Sequence, residues 1–386
     1  MFKRLSLLAV ASLLLAVGAF ADQHAVDQLH ARVVKAAGPE RAVLEAQLDK
    51  ACAQKDCVTS RLYWTTDLEE AKRAAQQTGR PIIALHLLGR LDQELSCANS
   101  RFFRTTLYSD ESIASLLRDD FVLYWHSVRP VPRITIEFGD GRKIQQTITG
   151  NSAHYLLSPD GAVLDALPGL YSPSAFREQL VQWIDLNRRM AGRRDTADVL
   201  RRFHAERLAA AKAQLALLAQ KTGVRIRPSR TMIPMTAMEA TRRTMSKAAI
   251  DTRVLESMDA SLRSLAPSDW AVLGTYEAGS VRFSPSAVAL IRQKQFGAAQ
   301  PKPGEMEALL ENLSISVAAD TIFDECELHA AIHTWFVDRE VTDRIAERAR
   351  LRRALPHPRR RSVAGIETAD GVHGDCELID TMSRPE

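Results

Sequence analysis

The sequence predicts an α/β fold, with a central mixed sheet flanked by helices and a mostly α-helical C-terminal region. Residues 81–88 form a nearly continuous apolar run, and a helical pattern separates it from a second apolar run at 121–125. Such runs are typical of parallel strands covered on both faces. Two pairs of short segments follow, each joined by a Gly-containing turn, and they predict antiparallel hairpins. Residues 196–221 are rich in Ala, Leu and Arg and contain no Gly or Pro, which favours a long helix.

Residues 1–21 have the pattern of a cleavable secretory signal peptide. Lys3 and Arg4 precede an apolar run at 5–17, and Ala19-Phe20-Ala21 offers the small-x-small site that a signal peptidase needs. The alternative is an uncleaved membrane anchor, but the run is shorter than the roughly 20 apolar residues that span a bilayer. We therefore expect a periplasmic or secreted protein with no stable membrane insertion after cleavage.

The composition indicates a globular protein with no nucleic-acid partner. A chain of 386 residues can hold two or three domains, and its 46% hydrophobic content is enough for real cores. The formal charge is only +4 and Lys and Arg are spread along the chain, apart from Arg359-Arg360-Arg361, which is typical of a solvated tail. No Gly-rich phosphate loop, serine nucleophile elbow or HExxH sequence is present. These absences argue against the commonest NTPases, hydrolases and metalloproteases, and we expect no cofactor.

The patterns along the chain predict five segments. The N-terminal segment after the signal peptide has Val26, Leu29 and Val33 at helical intervals, and the last residues have neither periodicity nor apolar density. The predicted segments are a signal peptide at 1–21, a helical segment at 22–60, an α/β domain at 61–187, a mostly helical region at 188–355 and a disordered tail at 356–386.

The α/β domain is predicted to begin with a helix and a strand. Thr66 and Glu69 form a capping box, and Gly79 is placed to end the helix before the strand at 81–88. Asp110 begins the helix that leads to the second strand at 121–125.

Two hairpins and a closing helix complete the predicted domain. The first hairpin pairs 134–138 with 143–148 around Gly139-Asp140-Gly141. The second pairs 154–157 with 162–165, and Ser172 with Pro173 marks the start of the closing helix.

Helices dominate the predicted C-terminal region. Gly223 can end the helix at 196–221, whereas Ser268-Asp269-Trp270 and Ser284-Pro285 look like helix caps or turns. The remaining predictions are a loop at 225–235, a helix at 237–265, a Pro- and Gly-containing linker at 297–304 and a helix at 309–349.

Five cysteines in a chain bound for an oxidising compartment permit disulfides and leave at least one thiol unpaired. Cys52 and Cys57 are close enough in sequence to bridge each other. Separate pairing or two free thiols is the alternative, because spacing alone does not fix bond geometry.

The order of elements between about residues 62 and 186 resembles the thioredoxin superfamily. Gly79-Arg80-Pro81 before the first strand and the turn Ser158-Pro159-Asp160-Gly161 are further points of likeness. In that superfamily a Cys-x-x-Cys follows the first central strand at a helix N-terminus, and here the stretch reads Cys97-Ala98-Asn99-Ser100. Where the family keeps a cis-proline, this chain has Gly150-Asn151-Ser152-Ala153. The resemblance implies a thioredoxin-like sandwich with Cys-x-x-Ser and no cis-proline.

In this position Cys97 is the candidate nucleophile of a monothiol thiol-disulfide oxidoreductase. The helix dipole and free backbone N–H groups favour its thiolate, and Ser100 would donate a hydrogen bond to it. Partners would then be protein thiols or disulfides. His86, His126 and His154 could converge near Cys97 at the strand ends and tune its pKa. The alternative is a non-catalytic binding or assembly module, with an unknown protein partner.

A second alternative is a metal site on a C-terminal helix. Cys326, His329 and His333 fall at spacings that place them on one helix face, and sulfur and imidazole suit zinc. Such a site needs at least one more ligand from elsewhere. The competing interpretation is a packed helical stripe that runs from Ile322 to Phe336.

Overall fold

The computed structural model describes residues 23–147, 150–193, 195–226, 265 and 267–337. Over these residues the protein is α/β, with a mixed four-stranded sheet and many helices. The predicted signal peptide, the tail at 356–386 and most of the helix predicted at 237–265 lie outside them.

The described part of the predicted N-terminal segment contains three helices: α1 at 23–35, α2 at Gly38–Cys52 and α3 at Cys57–Ser60. The helical pattern of residues 24–54 is thus interrupted, because Gly38 has a φ of +54° and Pro39 takes the start of α2. Cys52 and Cys57 form a disulfide.

The sheet has the strand order β2-β1-β5-β6. Strand β1 runs parallel to β2 and antiparallel to β5, and β5 runs antiparallel to β6. The strands are β1 (Ile82–Leu88), β2 (Val122–Arg129), β5 (Ser152–Leu157) and β6 (Val163–Pro168). All seven residues of β1 are buried, which explains the continuous apolar run in its sequence.

Helices cover both faces of the sheet. The helices of this region are α4 (Leu68–Thr78), α5 (Ala98–Phe102), α6 (Glu111–Asp120) and α7 (Pro173–Met190). One face packs on the alanines of α4, and the other, with Ile83, Leu85 and Leu87 of β1, packs on α6 and α7.

Local signals set the ends of these helices. Gly79 ends α4 with a φ of +71°, as the sequence predicts, but the N-cap is Asp67 and not Thr66. Asp67 accepts hydrogen bonds from the backbone N–H groups of Glu69 and Glu70, whereas Thr65 and Thr66 precede the helix. Ser172 caps α7, with Pro173 at its first position.

Strands β3 (Arg133–Glu137) and β4 (Lys143–Thr147) form the predicted first hairpin as a separate two-stranded sheet. Ile134 and Ile136 are exposed on it, and Ile144 lies opposite Ile136. The base of this hairpin lies beside Cys97, because Thr147 Oγ1 donates a hydrogen bond to the carbonyl of Ser96.

The C-terminal helices pack against the sheet region. They are α8 (Thr196–Thr222), α9 (Pro267–Glu277), α10 (Pro285–Phe296), α11 (Glu305–Phe323) and α12 (Ala330–Val337). The sequence marked the starts of α9 and α10 only as caps or turns, because both helices lack a clear apolar stripe. The helix predicted at 309–349 is interrupted by a π-helical segment at Asp324–His329.

One apolar cluster joins the C-terminal helices to the sheet. Val199, Leu200 and Phe203 of α8 and Phe336 of α12 belong to the same buried cluster as Leu85 of β1. In the described part of the chain, no helix is both long and apolar enough to cross a bilayer.

Candidate functional site

Cys97 lies at the end of the loop that follows β1. Its backbone N–H donates to the carbonyl of Leu88, and its side chain caps α5 by accepting a hydrogen bond from the N–H of Ser100 at 3.4 Å. A π-helical segment, Phe103–Leu107, continues α5, so that helical backbone extends well beyond Cys97. The buried guanidinium of Arg104 in this segment donates to the carbonyls of Gln93 and Glu94 and holds the loop in place.

Two oxygen atoms also lie close to the sulfur. Cys97 Sγ lies 3.4 Å from Ser100 Oγ and 3.7 Å from the backbone carbonyl oxygen of Asn151. Ser100 Oγ itself donates to the carbonyl of Cys97 at 3.0 Å, which fixes its position beside the thiol. The structure thus brings both predicted site residues together, and it adds the carbonyl of Asn151 just before β5.

Cys97 is fully buried, with an exposed fraction of 0%. The backbone carbonyl oxygen of Asn151 lies against the sulfur, and Gly150 packs so closely on Asn99 that a Cβ there would collide. Thr147 Oγ1, at the end of β4, donates to the carbonyl of Ser96 and accepts from Arg101. Because the sulfur is buried, a reagent can reach it only if neighbouring residues move.

Of the three predicted histidines, His154 is connected to the surroundings of Cys97 through Tyr108. It is buried, and its Nε2 shares a 2.6 Å hydrogen bond with the hydroxyl of Tyr108. Burial lowers the pKa of His154 to about 3. The pKa of Tyr108 is raised well above its ordinary value, first by burial and then by the nearby charge of Cys97. Both groups are therefore neutral near pH 7.

His86 and His126 do not join this environment. They are register partners on β1 and β2, and their rings lie 5.5 Å apart with Tyr155 beside His86. His86 alternates with Leu85 along β1, and Leu85 belongs to the cluster that contains Cys97, so His86 faces the other side of the sheet. Burial and then His126 lower the pKa of His86 to about 4.

The structure separates Cys326 from His329 and His333. Cys326 Sγ donates to the carbonyl of Ala211 in α8 and belongs to an apolar cluster with Leu215. Burial, and then the acidic residues beside it, raise its pKa to about 12. The segment is π-helical rather than α-helical, so the spacing that would align three residues on an α-helix does not apply.

His329 and His333 instead face a buried carboxylate, Asp165 on β6. Asp165 Oδ1 accepts from His329 Nε2 at 2.9 Å and from the backbone N–H of Ala166, and its Oδ2 accepts from Trp183 Nε1 at 2.8 Å. Burial raises the pKa of Asp165, but the adjacent His329 and its hydrogen bond lower it further, and the result is well below the ordinary value.

His204 of α8 completes this second cluster. Its Nδ1 lies 2.8 Å from Nδ1 of His333, and its Nε2 lies 2.9 Å from the carbonyl oxygen of Leu164. Burial lowers the pKa of His204, and burial with the neighbouring His329 lowers that of His333 to about 2. Candidate ligand atoms of Asp165, His204 and His333 all lie within 4.8 Å of one another.

Sequence reasoning missed Asp165 and His204 as site residues. Asp165 was visible only as the end of a strand, and His204 only as one residue of a long helix. No sequence spacing could have linked His204 to the predicted His333, because 129 positions separate the two residues.

Comparisons with protein-family models, characterised proteins and solved structures give no match for this chain. Its function therefore has to be inferred from the geometry of the two buried clusters.

Proposed function

We propose that this chain is an exported thioredoxin-like protein that carries out monothiol thiol-disulfide exchange through Cys97. The observation that carries the proposal is the position of Cys97, at the N-cap of a helix and at the end of the loop that follows the central strand β1, with the N–H of Ser100 directed at its sulfur. The sheet order β2-β1-β5-β6, with only β1 and β2 parallel, supports the thioredoxin-like interpretation.

The sulfur lies beside two groups of Ser100 that can donate hydrogen bonds to a negative charge. A negatively charged Sγ would accept the hydrogen bond from the Ser100 N–H. It could accept a second hydrogen bond if the Ser100 hydroxyl turned away from the carbonyl of Cys97. It would also lie at the positive end of the helix dipole. Thiolate is the form that attacks disulfides, so these contacts support nucleophilic chemistry at this atom.

The proposed exchange needs no residue besides Cys97 to form the covalent intermediate. The Cys97 thiol loses its proton to solvent, and the thiolate attacks one sulfur of a substrate disulfide. A mixed disulfide forms between Cys97 and that sulfur, and the other substrate sulfur leaves as a thiolate. Because Ser100 stands where a resolving cysteine would be needed, a second, external thiolate must attack the mixed disulfide and release Cys97.

Export of the chain is part of the same proposal. The disulfide between Cys52 and Cys57 suits an oxidising compartment, as does the signal-peptide pattern at 1–21. A reduced Cys97 in such a compartment would be protected by its burial until a partner displaces the segment around Asn151.

Alkylation of the purified chain tests the proposal, with Cys326 as an internal control. The two free thiols in the described part of the chain are both buried, but Cys326 has a raised pKa and no N–H group directed at it among the described hydrogen bonds. With the modified sites identified by peptide mapping, we expect iodoacetamide to modify Cys97 before Cys326, and Cys97→Ser to abolish the rearrangement of a scrambled-disulfide substrate. Ser100→Ala, which removes the hydroxyl beside the thiol, should slow the alkylation of Cys97. Modification of Cys97 no faster than Cys326 at every pH from about 5 to about 8 would contradict the proposal.

A second candidate function is a non-catalytic binding or assembly module, and the complete burial of Cys97 favours it. Under this alternative Cys97 packs the core and caps α5 without reacting. Cys97→Ala would then lower the stability of the protein, and neither the wild type nor the variant would show exchange activity. The alkylation comparison separates the two functions.

A further inference from the structure

We propose that Asp165, His204 and His333 bind a divalent transition metal ion of the zinc type. These residues come from three separate elements, β6, α8 and α12, and the fold alone brings them together. Their side chains are buried, with exposed fractions of 0% for Asp165 and His204 and 3% for His333. One carboxylate oxygen and two imidazole nitrogens are a donor set that zinc commonly takes in proteins.

The hydrogen bonds around His204 leave a lone pair directed into the cluster. The carbonyl of Leu164 can only accept, so His204 Nε2 carries the proton and donates to it. In the neutral ring, Nδ1 of His204 is then unprotonated and faces Nδ1 of His333 at 2.8 Å. A metal ion would replace the proton that joins these two nitrogens.

The second layer of contacts matches the support that metal ligands receive. A ligating histidine usually donates its other N–H to a carbonyl or carboxylate, as His204 does to Leu164. Trp183 donates to Oδ2 of Asp165, and His329 and the backbone N–H of Ala166 donate to Oδ1, which fixes the carboxylate and leaves one lone-pair site, on Oδ2, for a metal ion. In this arrangement His329 is a positioning residue and not a ligand.

The two histidine nitrogens need only a small adjustment on metal binding. Zinc–nitrogen bonds of about 2.0–2.1 Å in a tetrahedral site hold two ligand nitrogens roughly 3.3 Å apart. The 2.8 Å separation of the two Nδ1 atoms would thus widen by about half an ångström.

A polar cavity of about 240 Å³ adjoins the cluster, and His329 and His333 form part of its wall. Three other lining residues have a buried polar atom with no hydrogen-bond partner among the described residues: Gln179 Oε1, Gln182 Oε1 and Arg207 Nε. These atoms could form hydrogen bonds with water or a polar ligand in the cavity. Three protein ligands beside such a cavity have the composition of catalytic zinc sites, whose fourth position is taken by water or substrate.

The site differs from the one that the sequence alone indicated. Cys326 is turned to the carbonyl of Ala211, and of the predicted trio only His333 becomes a ligand. The proposal does not depend on chemistry at Cys97, so either can fail without the other.

Zinc binding by the full chain, purified without a histidine tag, tests the proposal. After equilibration with zinc and removal of excess, elemental analysis should find about one zinc per chain. His204→Gln should lose the bound zinc. His329→Gln should retain it with a dissociation constant about 10–100-fold weaker. The matched control is His86→Gln, which removes another buried imidazole and should leave zinc binding unchanged.

Cobalt spectroscopy on the unmodified chain keeps the test decisive if His204→Gln fails to fold. Bound Co²⁺ should give the visible bands of a tetrahedral nitrogen and oxygen site without a thiolate charge-transfer band. Failure of the unmodified chain to take up zinc or cobalt would overturn the proposal. So would a thiolate band, which would assign the metal to a cysteine, or zinc binding that persists unweakened in a folded His204→Gln variant.

Discussion

Acidification is expected to destabilise the protein through His154. This imidazole is buried beside aromatic rings, with Phe103 at 4.6 Å and Phe176 at 4.9 Å between ring centroids, and its Nε2 shares a hydrogen bond with the hydroxyl of Tyr108. Burial lowers its pKa to about 3 in the folded chain, whereas an unfolded chain has the ordinary value of 6.5. Between these two values the unfolded state binds more protons than the folded state, so stability falls as the pH falls.

The size of the effect follows from the two pKa values. Lowering the pH from about 7.5 to about 5 should cost about 2 kcal/mol at this one residue, since linkage gives about 1.4 kcal/mol per pH unit below the unfolded-state pKa. The loss should level off only below about pH 3, where the folded state also binds the proton.

Urea unfolding of wild type and His154→Gln at the two pH values measures this contribution. Glutamine keeps a polar group that can meet the Tyr108 hydroxyl, but it does not titrate. The other histidines with lowered pKa values, such as His86, are present in both proteins and cancel in the comparison. We expect the variant to lose about 2 kcal/mol less than wild type on acidification. An equal loss in both proteins would refute the reasoning.

Two further predictions concern stability. Replacing both Cys52 and Cys57 with alanine should lower the free energy of unfolding by about 2 kcal/mol, at the low end for disulfides because the closed loop is short. Reduction of the wild-type disulfide should have the same effect in a chemical unfolding titration. Gly169→Ala should cost about 3 kcal/mol, because its φ is +79° and a Cβ would collide with the carboxylate of Asp324. Gly192→Ala is the control, because Gly192 has a φ of +69° but open space around an added Cβ, and it should cost about 1 kcal/mol. Equal losses of stability for the two variants in thermal unfolding would exclude the proposed collision.

The sequence predicts best those features that depend on neighbouring residues. Strand β1 could be predicted because a central strand covered on both faces must be apolar throughout. Gly79 could be predicted to end α4 because its left-handed backbone favours glycine. The N-cap was displaced by one residue, from Thr66 to Asp67, because several residues in succession can accept the same backbone hydrogen bonds.

The sequence predicts poorly those features that depend on distant contacts. Cys97 and Ser100 could be paired from their spacing, but the burial of the thiol depends on Asn151, 54 positions away. The contact between Asp165 and His329 spans 164 positions and has no local pattern. The π-helical segment at Asp324–His329 also changed which side chains share a face, and its sequence gives no sign of the extra residue per turn.

These distant contacts connect the C-terminal helices to strand β6 of the sheet. The side chain of Asp165 is buried, and it accepts hydrogen bonds from Trp183 of α7 and from His329 in the segment before α12. Asp324 accepts the backbone N–H of Leu170 at 2.6 Å, which fixes that segment to the turn after β6. A buried carboxylate without its partners is costly. The α/β domain predicted at 61–187 therefore depends on the helices that follow it for the stability of its own strand β6.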